Sequence, residues 1–264
     1  ISNVGVASSD VTGVGSARSE LAACEFGGDK GIFGYGNTGS NSSLTNLVSN
    51  AGVVASDTSG VGTARAQVAA CSFGGDKGIF GYGYISAAQS MTNLVSNSGV
   101  VASDVTGVGT ARGHAAACEF GDDKAIFGFG ENASYAVVSM TNLVSNVGVV
   151  ATDVTGVGTA RRNPGACTYD YDKGIFAYGY TGSYVSMSNK VSNVGVVASD
   201  VTGVGTARRE LAATQFGGDK GIMAYGYTGS YVSMSNLVSN AGVVATDVTG
   251  VGTARTKLAA CSYN

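Results

Sequence analysis

The chain contains no tryptophan, one proline and one histidine, and only 12% of its residues are charged. Each scarcity removes a class of protein. A lone histidine, His114, supplies too few partners for a catalytic triad or a zinc centre. Basic residues are not in excess: 15 Lys and Arg stand against 18 Asp and Glu, a net charge of -3. Phosphate backbones need clustered Lys and Arg, so nucleic acid is not an expected partner. No apolar run approaches the roughly 18 residues of a membrane helix, and membrane insertion is not expected. Ile1-Ser-Asn-Val-Gly shows no basic segment ahead of an apolar core, so no signal peptide is expected there. Proline is nearly missing while glycine reaches 42 residues, and no three-residue period exists, which excludes collagen. A hydrophobic content of 44% argues against a disordered glycine-rich linker and suffices for a core.

What is present is a repeat. Asp200-Val-Thr-Gly-Val-Gly-Thr-Ala-Arg208 returns almost unaltered, closing at Arg18, Arg65, Arg112, Arg161, Arg208 and Arg255. The spacing is 47 residues, with one interval of 49 between Arg112 and Arg161. A fixed period in that range marks a repeat architecture. All five cysteines, Cys24, Cys71, Cys118, Cys167 and Cys261, occupy one repeat position, where the fifth copy has Thr214. A disulfide framework or zinc site needs cysteines close in sequence or complementary in position, and these are neither, so the thiols are expected buried on a strand. Thr214 implies that the position tolerates threonine.

Each unit holds four short apolar segments bounded by Gly, Asn, Asp or Ser, which is strand-and-turn grammar. In the first unit they are Leu21–Phe26, Gly31–Gly36, Leu44–Ser49 and Gly52–Ser56. Four strands per roughly 40–50 residues is the pattern of a β-propeller blade. The fold class expected is therefore all-β, a propeller of four-stranded blades forming one domain over residues 1–264. Strand alternation places Phe33 and Tyr35 on one face and Gly34 and Gly36 on the other, so that aromatic rows mesh with the glycines of the next blade. The repeated Asp and Arg are read as structural, the Arg bonding carbonyls or an Asp of a neighbouring blade. Five full units leave a spare fourth strand near Val4–Ser9 and a spare first strand at Leu258–Tyr263. Five or six blade positions follow, with self-association through the spare strands expected if the sixth is incomplete.

Gly34-Tyr-Gly-Asn-Thr-Gly39 matches a dinucleotide fingerprint by letter, but a strand rather than a helix follows, and no cofactor is expected. Two slots vary between copies. One is the pair before the first strand: Ser19-Glu20, Ala66-Gln67, Gly113-His114, Arg162-Asn163, Arg209-Glu210 and Thr256-Lys257. The other joins the second and third strands and carries Tyr135, Tyr184 and Tyr231. Variation among copies shows where the fold does not dictate the residue, so ligand contacts belong there. The candidate ligand-binding residues are Tyr135, Tyr184 and Tyr231, suited to stacking on a sugar, and His114, read as an exposed loop residue.

The order Ala-Arg, small first strand, then Gly28-Asp-Lys-Gly-Ile-Phe-Gly-Tyr-Gly36 resembles a kelch repeat, with Gly-Tyr-Gly in place of the kelch glycine doublet and no kelch tryptophan. The Asp-Lys-Gly-Ile-Phe-Gly-Tyr-Gly wording resembles repeats of predicted virion or tail-associated proteins of marine phages. That resemblance implies a structural or surface role, at a virion or extracellular surface. No acid pair, nucleophile–base pair or metal cluster is confined to one copy, so an enzyme is the less favoured rival and a non-enzymatic structural or binding module is expected. Its partners would be a glycan, a surface receptor or other virion or surface proteins. The alternative is a propeller lectin with several equivalent glycan sites.

Overall fold

The computed structural model describes residues 1–263. The chain is all-β, built of small antiparallel sheets in a propeller-like arrangement. The first sheet joins Ala22–Phe26 (β1), Lys30–Gly34 (β2) and Thr45–Val48 (β3). Ala69–Phe73 (β4), Lys77–Gly81 (β5) and Thr92–Val95 (β6) form the second. The third unit adds a short ribbon, Arg112–Gly113 (β7) with Glu131–Asn132 (β10), beside Ala116–Phe120 (β8), Lys124–Gly128 (β9) and Thr141–Val144 (β11). The fourth has Gly165–Tyr169 (β12), Lys173–Tyr180 (β13) and Tyr184–Val191 (β14). The fifth has Ala212–Phe216 (β15), Lys220–Tyr227 (β16) and Tyr231–Val238 (β17). Among the described residues no helix is long and apolar enough to cross a membrane.

Three of the four expected strands per unit are regular. The fourth segment touches the third strand only through isolated bridges, Val48 with Val54 and Thr45 with Thr58 in the first unit. The break lies at Ser56-Asp57, because Asp57 turns inward to accept from Asn46 Nδ2 at 2.9 Å and from the Ser16 amide at 2.9 Å. A side-chain cluster here outcompetes the ladder.

That cluster holds each unit together. Arg65 is fully buried; it donates from Nε to the Tyr82 carbonyl at 2.8 Å and from Nη2 to Asn93 Oδ1 at 2.7 Å. Asp104 lies 3.8 Å from its Nη1, and the Tyr35 ring of the preceding unit lies 4.4 Å from the guanidinium carbon. Burial pushes the Arg65 pKa down, yet the charge keeps an anion, an amide and a ring face. The structural reading of the repeated charges therefore holds with one correction: the aspartate comes from the arginine's own unit, and the neighbour supplies the ring.

The meshing of aromatics with glycines is present, but not by simple alternation. A methyl built on Gly34 would sit 2.7 Å from Phe80 of the next sheet, and one on Gly81 would sit 2.7 Å from Phe127. Tyr82, two residues after Phe80, packs in the opposite direction, edge-on to Phe127 at 5.1 Å. The residue at this position is left-handed, at φ 62° in Tyr82, and the ladder shifts register across the equivalent Tyr178. The bulge turns the tyrosine to the other face, so Phe80 and Tyr82 serve opposite neighbours.

The cysteines are free, four of them buried and Cys261 half-buried. Cys118 Sγ lies 2.5 Å from where a methyl on Gly174 would stand, so the thiol fills the space of a missing side chain in the next sheet. Cys71 and Ala125, at the equivalent positions of the second and third units, are buried in one core cluster. Thr214 is half-exposed, because no strand covers it. The expected tolerance of threonine is thus local to position 214. Cys71→Thr should cost about 1–3 kcal/mol by overpacking in chemical denaturation, whereas Thr214→Cys should leave the midpoint unmoved.

Candidate functional site

The pair slots of all units meet around one axis. The second residue of each pair, Glu20, Gln67, His114, Asn163, Glu210 and Lys257, hydrogen-bonds through its backbone to the next around a closed circle. Each amide donates to the preceding residue's carbonyl at 2.9–3.3 Å, and Glu20 closes the circle on Lys257. All six are left-handed, with φ between 53° and 58°. A left-handed conformation disfavours side-chain-bearing residues, and glycine is the usual occupant. This chain uses glycine freely elsewhere, yet keeps six side chains here. Backbone strain of this kind clusters at functional sites.

The side chains ring a cavity of ≈ 110 Å³ on the axis. Lys257 Nζ lies 2.6 Å from Glu20 Oε1. Thr256 donates to Glu210 Oε2 at 3.0 Å. His114 Nδ1 lies 2.7 Å from Asn163 Nδ2, so the imidazole accepts there. His114 is not the exposed loop residue expected; it is half-buried at the axis. Burial drops its pKa to about 4, with Arg162, Lys257 and Arg209 adding to the drop and Glu20 opposing it. It is neutral at physiological pH. Deeper along the axis the first strands line a second narrow cavity, with Glu25, Ser72, Glu119, Thr168, Gln215 and Ser262 at one repeat position. Burial pushes the Glu119 carboxyl up to about 8.

The strand-two-to-three loops lie beside the circle, because the first residue of each pair bridges to the start of the loop. Ala66 pairs with Tyr84, Arg162 with Tyr180 and Arg209 with Tyr227. Both variable slots therefore share one face. On it Tyr184 joins Tyr180 at 5.5 Å and Tyr227 at 6.1 Å between ring centroids, and Tyr231 joins Tyr227 at 5.9 Å. The Arg209 guanidinium stacks into this group, 4.8 Å from the Tyr180 centroid and 5.5 Å from that of Tyr227. Arg162 stacks on Tyr180 at 5.3 Å and pairs with Glu131. Tyr231 is 61% exposed and borders a cleft of ≈ 570 Å³ with Tyr227, Arg209, Glu210 and Lys257.

Of the expected site residues, Tyr184 and Tyr231 come together and His114 lies at the axis nearby. Tyr135 belongs elsewhere on the face: it is 69% exposed, and its hydroxyl lies 2.8 Å from that of Tyr84. Sequence reasoning missed Tyr180, Tyr227 and Arg209 as site residues, although each begins a slot whose variation was visible. It also read each slot within its own copy, and the circle crosses all copies. Among the described residues no group of three potential metal ligands occurs.

No protein-family model matches the chain, and no curated protein is similar to it. Among solved structures, 222 chains match. One is YjhT, with a TM-score of 0.69 and 9% identity over 94% of this chain and 88% of that one. At that identity the likeness is one of fold.

Proposed function

We propose that the protein is a non-enzymatic recognition module, a propeller of six blade positions that binds a glycan on its variable face. The observation that carries this is the convergence of both variable slots on one face, with Tyr180, Tyr184, Tyr227 and Tyr231 joined through Arg209 beside an open cleft. Exposed rings with adjacent charged donors and acceptors suit a sugar, which offers an apolar face and hydroxyl edges. Around the mouth of the axis Lys257 pairs with Glu20, Arg162 with Glu131 and Arg209 with Glu210, which holds charged donors and acceptors in place for a ligand's hydroxyls.

Six positions are supported by the circle of six backbone bonds. Five are blades whose regular strands number three, the fourth segment being bridged on. A virion or cell-surface location, and a partner displayed there, remain part of the proposal on the strength of the repeat's wording. The lectin reading takes a modified form, since the tyrosine cluster occupies the fourth and fifth units and the first carries Asn37-Thr-Gly-Ser in its place. One extended site replaces several equivalent ones.

A glycan array followed by calorimetry on the best ligand tests this. One ligand per chain is expected. Tyr184→Ala should weaken binding by roughly ten-fold or more, in keeping with the loss of a stacked ring. An array without hits, or a hit indifferent to Tyr184→Ala and Arg209→Ala, would sink the glycan reading.

A further inference from the structure

Among the described residues the sixth position holds a first and a fourth segment, with no strands between them. The N-terminal segment sits as a fourth strand should. Ser2 N donates to Val6 O and Gly5 N to Ser2 O, both at 2.9 Å, repeating the turn Ser49–Val53. Asp10 accepts from the Thr253 amide at 3.0 Å and from Arg255 Nη1 at 2.8 Å, so the two ends of the chain share one latch. The C-terminal segment sits as a first strand should. Cys261 Sγ lies 2.5 Å from a methyl built on Gly31, as Cys24 Sγ does for Gly78. Between them opens a largely apolar cleft of ≈ 630 Å³, walled by Ile222, Ala224, Tyr225 and Leu237 on one side and by Val4–Val11 and Leu258–Ala260 on the other.

The cleft's surroundings show what it lacks. Phe80, Phe127 and Phe176 are fully buried, each against the preceding sheet's glycine; Phe33 is only half-buried. Tyr35, Tyr82 and Tyr178 are fully buried; Tyr225 is half-exposed. Arg65, Arg112, Arg161 and Arg208 have side chains at 0% exposure; that of Arg255 is at 44%. Each orphan names its missing partner by the rule the complete units obey. Ala224 and Tyr225 await an aromatic knob, Phe33 and Thr214 each await a glycine, and Arg18 awaits a ring beneath it. Arg255 awaits the amide oxygen of an asparagine. These are the second and third strands of the repeat: Lys-Gly-Ile-Phe-Gly-Tyr-Gly, then Thr-Asn-Leu-Val.

We propose that this cleft is a receptor for a β-hairpin of the repeat's own type, which docks as the two missing strands of the sixth blade. The inference rests on the six-position reading and not on the glycan reading. Strand addition would satisfy the open backbone edges while pockets select alternate side chains. A second intact copy is not the occupant, because its hairpins are built into its own sheets.

The test uses a labelled synthetic peptide with the sequence of residues 74–97, added to the full chain. Saturable binding of one peptide per chain is expected, with a rise in melting temperature. Ala224→Trp, which plugs the wall, should weaken binding at least ten-fold, as should Phe80→Asp in the peptide. The peptide sequence fused behind Asn264 should raise the melting temperature and abolish binding of free peptide. The proposal falls if neither free nor fused peptide stabilises the chain, or if binding ignores Ala224→Trp. It falls equally if sedimentation shows a dimer that peptide does not dissociate, since a second copy would then hold the cleft. Tyr184→Ala should leave peptide binding unchanged, so failure here and failure of the glycan reading are separate results.

Discussion

Gly81→Val should destabilise the protein by about 1–3 kcal/mol through overpacking, and Gly81→Ala by less. The reason is a single contact: a Cβ at residue 81 would stand 2.7 Å from Phe127 Cζ, and Phe127 is fully buried in its own cluster. The chain itself contains the compensated version. Ala177 takes the place of this glycine in the fourth unit, and the knob facing it is Met223 instead of phenylalanine, both fully buried in one cluster. A methionine bends around an added methyl where a rigid ring cannot. Phe127→Met should therefore recover most of the loss caused by Gly81→Ala. The two changes should be strongly non-additive in a denaturation cycle, as residues in contact are. Additive losses would show that the ring and the glycine do not face each other.

This pairing explains why the architecture could be read from the sequence. The first three strands of every unit are short-range features, each bounded by its own turn residues. Phe80 and Gly81 are adjacent letters whose roles toward the preceding and following sheets follow from repetition. Two things were not legible. The tyrosine bulge was hidden because Tyr82 fits strand alternation perfectly well by letter; only the left-handed backbone at φ 62° reverses it. The fourth strand looked like its neighbours, and the pull of Asp57 toward Asn46 and Ser16 is a tertiary competition that local propensity does not contain.

The candidate site was hidden for a different reason. Glu20 and Lys257 are the most distant members of the axial circle in sequence, and ring closure sets them 2.6 Å apart. Nothing local announces that contact. The signal that existed was the contrast between an almost invariant Asp-to-Arg turn and the two variable residues directly after it. That contrast put His114 among the candidates, and the variation of the strand-two-to-three slot put Tyr184 and Tyr231 there; Arg209, itself one of the variable pair, was passed over because its role depends on stacking against rings of two units.

Removal of a buried arginine should have the largest effect of any single change in the chain. Arg161→Ala should cost about 3–5 kcal/mol, the range seen when one partner of a buried charged pair is removed. Arg161 is fully buried, with Nε donating to the Tyr178 carbonyl at 2.8 Å, Nη1 to the Thr159 carbonyl at 3.1 Å and Nη2 to Asn189 Oδ1 at 2.7 Å. Its guanidinium carbon lies 4.0 Å from the Phe129 ring centroid of the preceding unit. Alanine would leave the Tyr178 carbonyl and Asn189 Oδ1 unsatisfied, open a cavity over Phe129, and strip Asp200 of the cation 3.9 Å away. Burial already lowers the Arg161 pKa to about 10, yet that leaves it charged at neutral pH. Charge alone is not what holds the unit. Lysine offers a point charge without the planar fork, so Arg161→Lys should recover only a minor part of the loss. Guanidinium denaturation of the three proteins would decide the matter. A lysine variant as stable as the parent would show that the fork and the stacked ring contribute little. In that case the latch would reduce to its ion pair with Asp200.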